Sequence, residues 1–139
     1  MERVPQRAKP LPIPGPDDRL FWEGCLRHEL LVQRCTGCGA VRFWDDPMCP
    51  HCASLASEAV RASGRGRIWS HTTTHHAFNR AWKDDLPYTV IVVELDEGPR
   101  MTSNLTGSTA GLRIGAAVEV VFEDVNPEVT LPKFRLVTA

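Results

Sequence analysis

Short runs of alternating apolar and polar residues dominate the second half of the chain. Five of these runs are rich in Val, Ile, Thr and aromatic residues, which favour strands. We predict strands at residues 67–74, 88–95, 100–105, 117–123 and 134–138. A compact turn at residues 96–99 follows the second run, so we expect the second and third strands to form an antiparallel hairpin.

The connections between these runs leave no room for a long helix. Five short strands within about 75 residues are typical of a small Greek-key barrel. We therefore predict a mainly β protein with a five-stranded OB-fold barrel, and an SH3-like barrel is the structural alternative. The loop between the first two strands carries Arg80, Trp82 and Lys83, at a place where OB-folds commonly meet their ligands.

A short amphipathic helix is predicted before these strands. Its apolar residues recur four positions apart, in the pairs Phe21 with Cys25 and Trp22 with Leu26. Two acidic residues are candidates for its N-cap, Asp17 and Asp18. Gly24 weakens the helix, which we expect to end at residues 27–29.

Four of the five cysteines form two C-x2-C pairs, and these pairs carry the clearest chemical signal in the chain. The pairs are Cys35 with Cys38 and Cys49 with Cys52. Residues 30–34 and 40–44 predict two strands that carry the first pair, and the ten residues between the pairs suit a hairpin that brings both onto one ion. Four thiolates fill a tetrahedral shell, so we predict a rubredoxin-like zinc ribbon with a structural metal. Gly39 fits a turn that needs positive φ.

Other uses of these cysteines fit the sequence less well. Two disulfides need an oxidising compartment and a redox C-x-x-C pair needs a βαβ setting, and we find neither a secretory signal nor that pattern. Zinc suits the soft tetrahedral ligand set better than iron, which stays an alternative. We interpret His51, inside the second pair, as a spectator. Cys25 is interpreted as a small apolar residue rather than a reactive thiol.

Composition narrows the class of protein. With 42% hydrophobic and 24% charged residues, the chain is typical of a globular domain in water. No apolar run approaches the ~20 residues of a membrane span, so we expect no membrane partner. The formal net charge is -1, so the chain lacks the overall positive charge expected of a sequence-independent nucleic-acid binder. A reduced-thiol metal site predicts a cytoplasmic location.

Proline and small residues divide the chain into three parts. Residues 1–16 carry five prolines, which predicts an extended arm that is either a disordered terminus or a strap along a partner. Residues 53–66 are rich in Ala, Ser, Gly and Arg and predict a linker. We therefore expect an arm at 1–16, a helix and zinc ribbon at 17–62, and a barrel domain at 63–139. Each of the two folded units should have its own core.

Two groups of side chains outside the ribbon invite a functional interpretation. Arg65 and Arg67 lie beside flexible backbone and could bind the phosphates of an acyl-CoA, or they are solvated charges of the linker. His71, His75 and His76 cannot share one face of a strand, so we interpret them as surface or interface residues rather than metal ligands.

The order of further short motifs carries a resemblance to a known family. After the helix and the cysteine pairs come Gly64-x-Gly66-x-Ile68-x-Ser70-x-Thr72, Pro87-Tyr88, Leu95-Asp96-Glu97-Gly98-Pro99-Arg100, Ile114-Gly115-x-x-Val118 and Pro132-x-Phe134. In this order and spacing, the chain after residue 16 resembles the zinc-ribbon plus OB-fold acyl-CoA-associated family, known as domain of unknown function 35. Relatives often carry glycine where this chain has Ala53 and at the His28-Glu29 turn, which puts the fine geometry of the knuckle in question.

The resemblance implies an accessory role beside a thiolase-fold, lipid-transfer-protein-like enzyme. Family members work in archaeal acetoacetyl-CoA thiolase and hydroxymethylglutaryl-CoA synthase assemblies and in bacterial retro-aldolases that shorten steroid side chains. There they help form the acyl-CoA site, while the partner carries the catalytic groups. For this chain the resemblance implies one zinc, acyl-CoA as a shared ligand, no catalytic residue of its own, and two copies on a dimeric partner.

The motifs that are missing from the sequence agree with such a role. We find no nucleophile elbow, no phosphate-binding loop and no carboxylate pair in an acid–base frame. Aromatic residues are candidates for the partner interface or, alternatively, for core packing, and they are Phe21, Trp22, Trp44, Phe78 and Trp82.

A nucleic-acid-binding module is the functional alternative, because zinc ribbons and OB-folds recur in such proteins. The barrel segment argues against it. Residues 88–94 are largely aliphatic rather than stacking aromatics, and acidic residues are frequent in the segment, namely Glu94, Asp96, Glu97, Glu119, Glu123, Asp124 and Glu128. We therefore expect no nucleic-acid partner.

Overall fold

The computed structural model describes residues 8–138, and it confirms a mainly β chain with one short α-helix. The elements are α1 (Arg19–Leu26), β1 (Leu31–Cys35), β2 (Val41–Arg42), β3 (Ser57–Arg61), β4 (Arg65–Thr74), a 3-10 helix (Arg80–Asp85), β5 (Tyr88–Leu95), β6 (Arg100–Asn104), β7 (Ala117–Asn126) and β8 (Val129–Leu136). Residues 1–7 of the predicted arm lie outside the described part. No helix among residues 8–138 is long and apolar enough to cross a bilayer.

The strands form two antiparallel sheets. The small sheet has the order β2-β1-β3, and the large sheet has the order β6-β5-β4-β7-β8. The two end strands of the large sheet meet at one parallel bridge, Leu105 with Phe134. At this seam the Thr106 N–H donates to the Phe134 carbonyl at 2.8 Å, and the Ser103 hydroxyl donates to the Pro132 carbonyl at 2.7 Å. A bridge and one side chain, rather than a continuous ladder, therefore join the end strands.

Two strands differ from the sequence predictions. Residues 53–66, predicted as a linker, contain β3, which pairs with β1 from Leu31 with Arg61 to Cys35 with Ser57. Its Ala- and Ser-rich composition hides a strand that is mostly exposed. The last strand begins at Val129 rather than at residue 134. Pro132 argues against a strand in the sequence. The structure tolerates it because β8 lies at the end of the large sheet.

Ribbon and barrel share one hydrophobic core, so the prediction of two separate cores is wrong. The core contains Phe21 and Cys25 from α1 and Val32 from β1, together with barrel residues such as Ile91 and Phe134. The helix lies against β8 of the large sheet as well as against β1 of the small one. One face of α1 therefore packs against the large sheet and the small sheet at the same time.

Gly24 allows the helix to approach β1 closely. A Cβ at this position would lie 2.8 Å from the Leu31 side chain and 3.0 Å from the Glu29 carbonyl oxygen. The glycine that weakens the helix in isolation is thus needed for its packing. Cys25, on the next position, is fully buried, as expected for a small apolar residue, and burial raises the pKa of its thiol to about 12.

His28 follows α1 and ties it to the hairpin of β7 and β8. Its backbone has φ 59°, a conformation that is rare for residues other than glycine. Its ring stacks on Phe122 at 5.1 Å, and its Nε2 lies 2.8 Å from Asp124 Oδ1. The Asp124 carboxylate also accepts from the Thr130 hydroxyl, and these hydrogen bonds, His28 first, lower the pKa of Asp124. The His28 side chain thus offsets part of the backbone strain.

The two cysteine knuckles have the same backbone pattern. Gly39 and Ala53 each follow the second cysteine of a pair and have φ 80° and 62°, which confirms the positive φ predicted for Gly39. Their N–H groups donate to the carbonyls of Cys35 and Cys49, each at 2.9 Å. The second knuckle therefore places an alanine where its Cβ is disfavoured.

We predict that Ala53→Gly stabilises the protein by about 1 kcal/mol, because glycine adopts this conformation without a Cβ clash. Chemical denaturation of the full chain with metal bound would measure the change. Ala59→Gly, in β3, is the matched control and should destabilise, since its extended backbone gains nothing from glycine. Equal losses of stability in both variants would contradict the strain at Ala53.

Candidate metal centre and surface sites

The four cysteine sulfurs converge as the sequence predicts. All four Sγ atoms lie within 4.8 Å of one another, and the pairs Cys35 with Cys52 and Cys38 with Cys49 are each 3.5 Å apart. A tetrahedral site with metal–sulfur bonds of about 2.3 Å needs sulfurs about 3.8 Å apart, so the cluster has the right size. Cys35 and Cys49 are buried, whereas Cys38 and Cys52 are exposed. The cluster therefore lies at the edge of the ribbon, with one cysteine of each pair in contact with water.

Backbone N–H groups support the buried cysteines as thiolates. The N–H groups of Cys38 and Gly37 lower the pKa of Cys35 to about 6. Those of Cys52 and His51 lower the pKa of Cys49. A knuckle thus directs backbone dipoles at sulfur and favours the ionised form that binds a metal.

Two buried polar side chains fix the loop between the knuckles. Gln33 of β1 donates from Nε2 to the carbonyls of Phe43 and Asp46, at 3.0 and 3.3 Å. Arg42 of β2 donates from Nε to the Asp46 carbonyl at 2.9 Å, and its Nη2 lies 3.5 Å from the Pro47 carbonyl. This loop leads directly to Cys49. Sequence reasoning missed both residues, although a glutamine after the apolar run Leu30 to Val32 could have signalled a buried polar role.

The histidines lie outside the metal cluster. Among the described residues, the only group of three or more potential metal ligands is formed by the four cysteines. His51 is exposed, and so are His71, His75 and His76. The His76 ring packs edge-on against Phe78 at 4.9 Å. The interpretation of these histidines as surface residues agrees with their exposure.

Arg65 and Arg67 both lie in β4, which begins two residues before the predicted strand at 67–74 and so includes Arg65 of the predicted linker. Both face outward from the sheet, opposite Glu119 and Glu94 respectively. Those carboxylates pair instead with Arg135 and Arg100, at 2.7 and 3.1 Å. Arg67 donates to the Gly115 carbonyl at 2.9 Å. Within the described part of the chain, the Arg65 guanidinium has no hydrogen bond or ion pair.

The five aromatic candidates for a partner interface differ in exposure. Phe21 is 5% exposed and belongs to the core, so its ring is not available to a partner. Trp22 and Trp44 are half-buried, and their indole N–H groups donate to Asp18 Oδ2 and to the Leu31 carbonyl. Trp82 is also half-buried. Phe78 is 94% exposed.

The loop that carries Phe78 is contacted by the N-terminal arm. Lys9 forms an ion pair with Asp85 at the end of the 3-10 helix. Close to α1, the Gly15 N–H donates to Asp18 Oδ1 at 2.7 Å. Asp18 stands at the N-cap position, as predicted, but it binds Gly15 and Trp22 rather than a backbone N–H of the helix. The described part of the arm is therefore attached at both ends.

Comparison with known proteins identifies the family. Residues 22–58 match the ChsH2 rubredoxin-like zinc ribbon domain, and residues 59–123 match the ChsH2 C-terminal OB-fold domain. A DUF35 domain-containing scaffold protein of Methanothermobacter thermautotrophicus is 36% identical over 104 residues, which cover 73% of this chain and 77% of that protein. These matches confirm the predicted zinc ribbon and OB-fold.

A longer relative and a solved structure show how the same unit occurs elsewhere. A probable enoyl-CoA hydratase alpha subunit of Thermomonospora curvata is 36% identical over 96% of this chain, but the chain spans only 42% of that protein's length. A chain of the solved structure named Ltp2-ChsH2(DUF35) aldolase is 36% identical and superposes with a TM-score of 0.79, over 90% of this chain and 98% of that one. The chain therefore belongs to the ChsH2 family of DUF35 proteins, in which a rubredoxin-like zinc ribbon is followed by an OB-fold domain.

Proposed function

We propose that this chain is an accessory, non-catalytic subunit that binds a thiolase-fold partner and helps form its acyl-CoA site. The observation that carries the proposal is the match to the aldolase chain, which is covered over 98% of its length at 36% identity. The hydratase name belongs to a protein of which this chain spans only 42%. The reaction of the complex would be cleavage or formation of a carbon–carbon bond, with a steroid side chain as one candidate acyl group.

The chemistry of this chain supports a non-catalytic role. Four cysteine ligands would complete a tetrahedral shell, which leaves no position for substrate on the metal. Cys25 is fully buried with a pKa near 12, so its thiol stays protonated at neutral pH and is a poor nucleophile. The reacting groups would then belong to the partner.

We also propose one structural zinc per chain, held by Cys35, Cys38, Cys49 and Cys52. The donor set supports zinc, because soft thiolates in tetrahedral geometry favour it over harder-ligand metals. When bound, the ion cross-links the two knuckles and supplies folding free energy rather than catalysis.

The partner would contact the loop that carries Phe78. Phe78 is 94% exposed, so its ring is hardly buried in the isolated chain. Aromatic side chains that become buried on binding contribute much of the binding energy of protein interfaces. Trp82 lies in the same loop. A dimeric thiolase-fold partner would present the docking surface twice, which would give a two-plus-two assembly.

Arg65 and Arg67 are proposed contacts for the phosphates of the acyl-CoA. They stand two residues apart on the outer face of β4, so their backbones are roughly 6.6 Å apart. Among the described residues the Arg65 guanidinium has no ion pair, which supports the proposal, because it can form charge-assisted hydrogen bonds to phosphate without breaking one.

Metal removal is expected to destabilise the whole protein. Purified chain should hold about one zinc, and Cys49→Ser should lose it and lower the melting temperature in a single transition, because Val32 of the ribbon belongs to the shared core. Metal analysis and calorimetry would measure both effects. Cys25→Ala, which also removes a buried thiol, is the control and should keep its zinc. A Cys49→Ser protein without metal that melts like the parent would refute a structural zinc.

Mixing the chain with a thiolase-fold partner tests the proposed function. The complex should elute as one species and act on acyl-CoA, whereas the isolated chain should show no lyase or condensing activity. Phe78→Ser should weaken the complex by about 2 kcal/mol and spare the melting temperature. Phe21→Ser, the same change in the core, should lower the melting temperature sharply, since losing a buried aromatic side chain costs about 3–5 kcal/mol. Activity of the isolated chain at the rate of the mixture would overturn the proposal.

Replacing Arg65 and Arg67 by Gln should weaken acyl-CoA binding to the complex by about 1–3 kcal/mol and leave the zinc content unchanged. Titration calorimetry with CoA and with its dephospho form would measure the loss. Arg19→Gln with Arg34→Gln removes the same charge from other exposed sites and should bind as the parent does. If the two double variants bind equally, the arginines of β4 do not contact the phosphates.

A further inference from the structure

One face of the small sheet buries two polar side chains, Gln33 and Arg42. Gln33 and Arg42 are 6% and 3% exposed, and they stand directly opposite each other on β1 and β2. Gln33 also accepts a hydrogen bond from the Ser57 hydroxyl of β3 at 2.8 Å. All three strands of the ribbon are therefore linked through these two side chains to the loop between the knuckles.

This polar side is also the side of the metal ligands. Side chains two residues apart on a strand point to the same face, so Gln33 and Cys35 lie on one face of β1. Residues that pair directly across an antiparallel ladder also share a face, which places Arg42 with them. The loop that Arg42 binds at Asp46 and Pro47 continues into Cys49. Arg42 thus shares a face of the sheet with Cys35 and binds the loop that leads to Cys49.

Arg42 is unusual because its charge is buried without a carboxylate. Among the described residues it forms no ion pair within 4.0 Å, and its Nη1 is buried without a hydrogen-bond partner. Carbonyl oxygens satisfy part of the guanidinium, but they carry no net charge to balance it. Burying an unbalanced cation is costly, so a nearby negative group is needed.

The proposed metal centre would supply such a group. Four thiolates around a divalent cation have a net charge of two minus, and a charge of this size acts over several ångströms when water is excluded. The exposed Arg34 of β1 does not share this position, because it lies on the opposite face and pairs with Glu58 at 3.8 Å.

We propose that Arg42 is a positioning residue of the metal centre, which holds the loop that delivers Cys49 and offsets the negative charge of the metal–thiolate cluster. Gln33 supports the same loop through its two carbonyl contacts. Arg42 therefore governs how long the protein retains its metal, although it is not a ligand. This inference rests on the proposed metal site and is independent of the proposed partner.

The test compares metal release from the zinc-loaded full chain in three variants. Arg42→Met, which removes the charge and the hydrogen bonds, should release zinc to a chromogenic chelator on the order of 10-fold faster than the parent. Arg42→Lys, which keeps the charge, should lie between the two. Arg34→Met removes the same charge beside Cys35 from the exposed face and should release zinc at the parental rate.

Cobalt substitution gives a readout that simple loss of stability would not move. The ligand-field bands of cobalt report the tetrahedral thiolate set, so Arg42→Met should shift or weaken them, and Arg34→Met should leave them unchanged. If Arg42→Met fails to fold, Arg42→Lys decides, and a release rate within about twofold of the parent would overturn the inference. Equal acceleration in Arg34→Met and Arg42→Met would overturn it as well, because net charge alone would explain both. A parent chain that binds no metal would instead refute the metal site.

Discussion

Burial of one face of α1 against both sheets is the interaction on which the rest of the structure depends. Phe21 and Cys25 enter the same core as Phe134 of the barrel, and Gly24 lets the helix meet β1 at close range. A ribbon of this size has little apolar core of its own. The ribbon and the barrel are therefore distinct in sequence but joined in folding, so a metal bound by the ribbon would also stabilise the barrel.

Local signals in the sequence predicted the chemistry better than the boundaries of the elements. The spacing of the cysteines predicted that their four sulfurs converge, because two C-x2-C pairs at this separation have few other uses. The strands rich in Val and Ile were found for a similar reason, since their alternation records one buried face. β3 was missed because its exposed residues carry no such alternation. β8 was predicted too short because Pro132 argues against a strand, and only its place at the end of the sheet makes this proline acceptable.

The remaining differences arise from contacts between residues far apart in the chain. Nothing near Arg65 in sequence shows that the strand predicted from residue 67 begins two residues earlier, and nothing near Arg42 shows that a loop will cover it. Phe21 and Phe78 have the same side chain, yet one fills the core and the other faces water. Such outcomes depend on how the sheets pack, which periodicity does not encode.

The two knuckles, alike in hydrogen bonding, differ in the ease with which each forms. Gly39 adopts its left-handed turn freely, whereas the same turn at Ala53 carries a steric cost of about 1 kcal/mol. The turn that holds Cys35 and Cys38 is thus formed at a lower conformational cost than the turn that holds Cys49 and Cys52. A metal at this site would therefore gain its bonds to Cys35 and Cys38 at a lower conformational cost than its bonds to Cys49 and Cys52. The methyl group of Ala53 thus makes the second pair of cysteines the costlier pair to arrange.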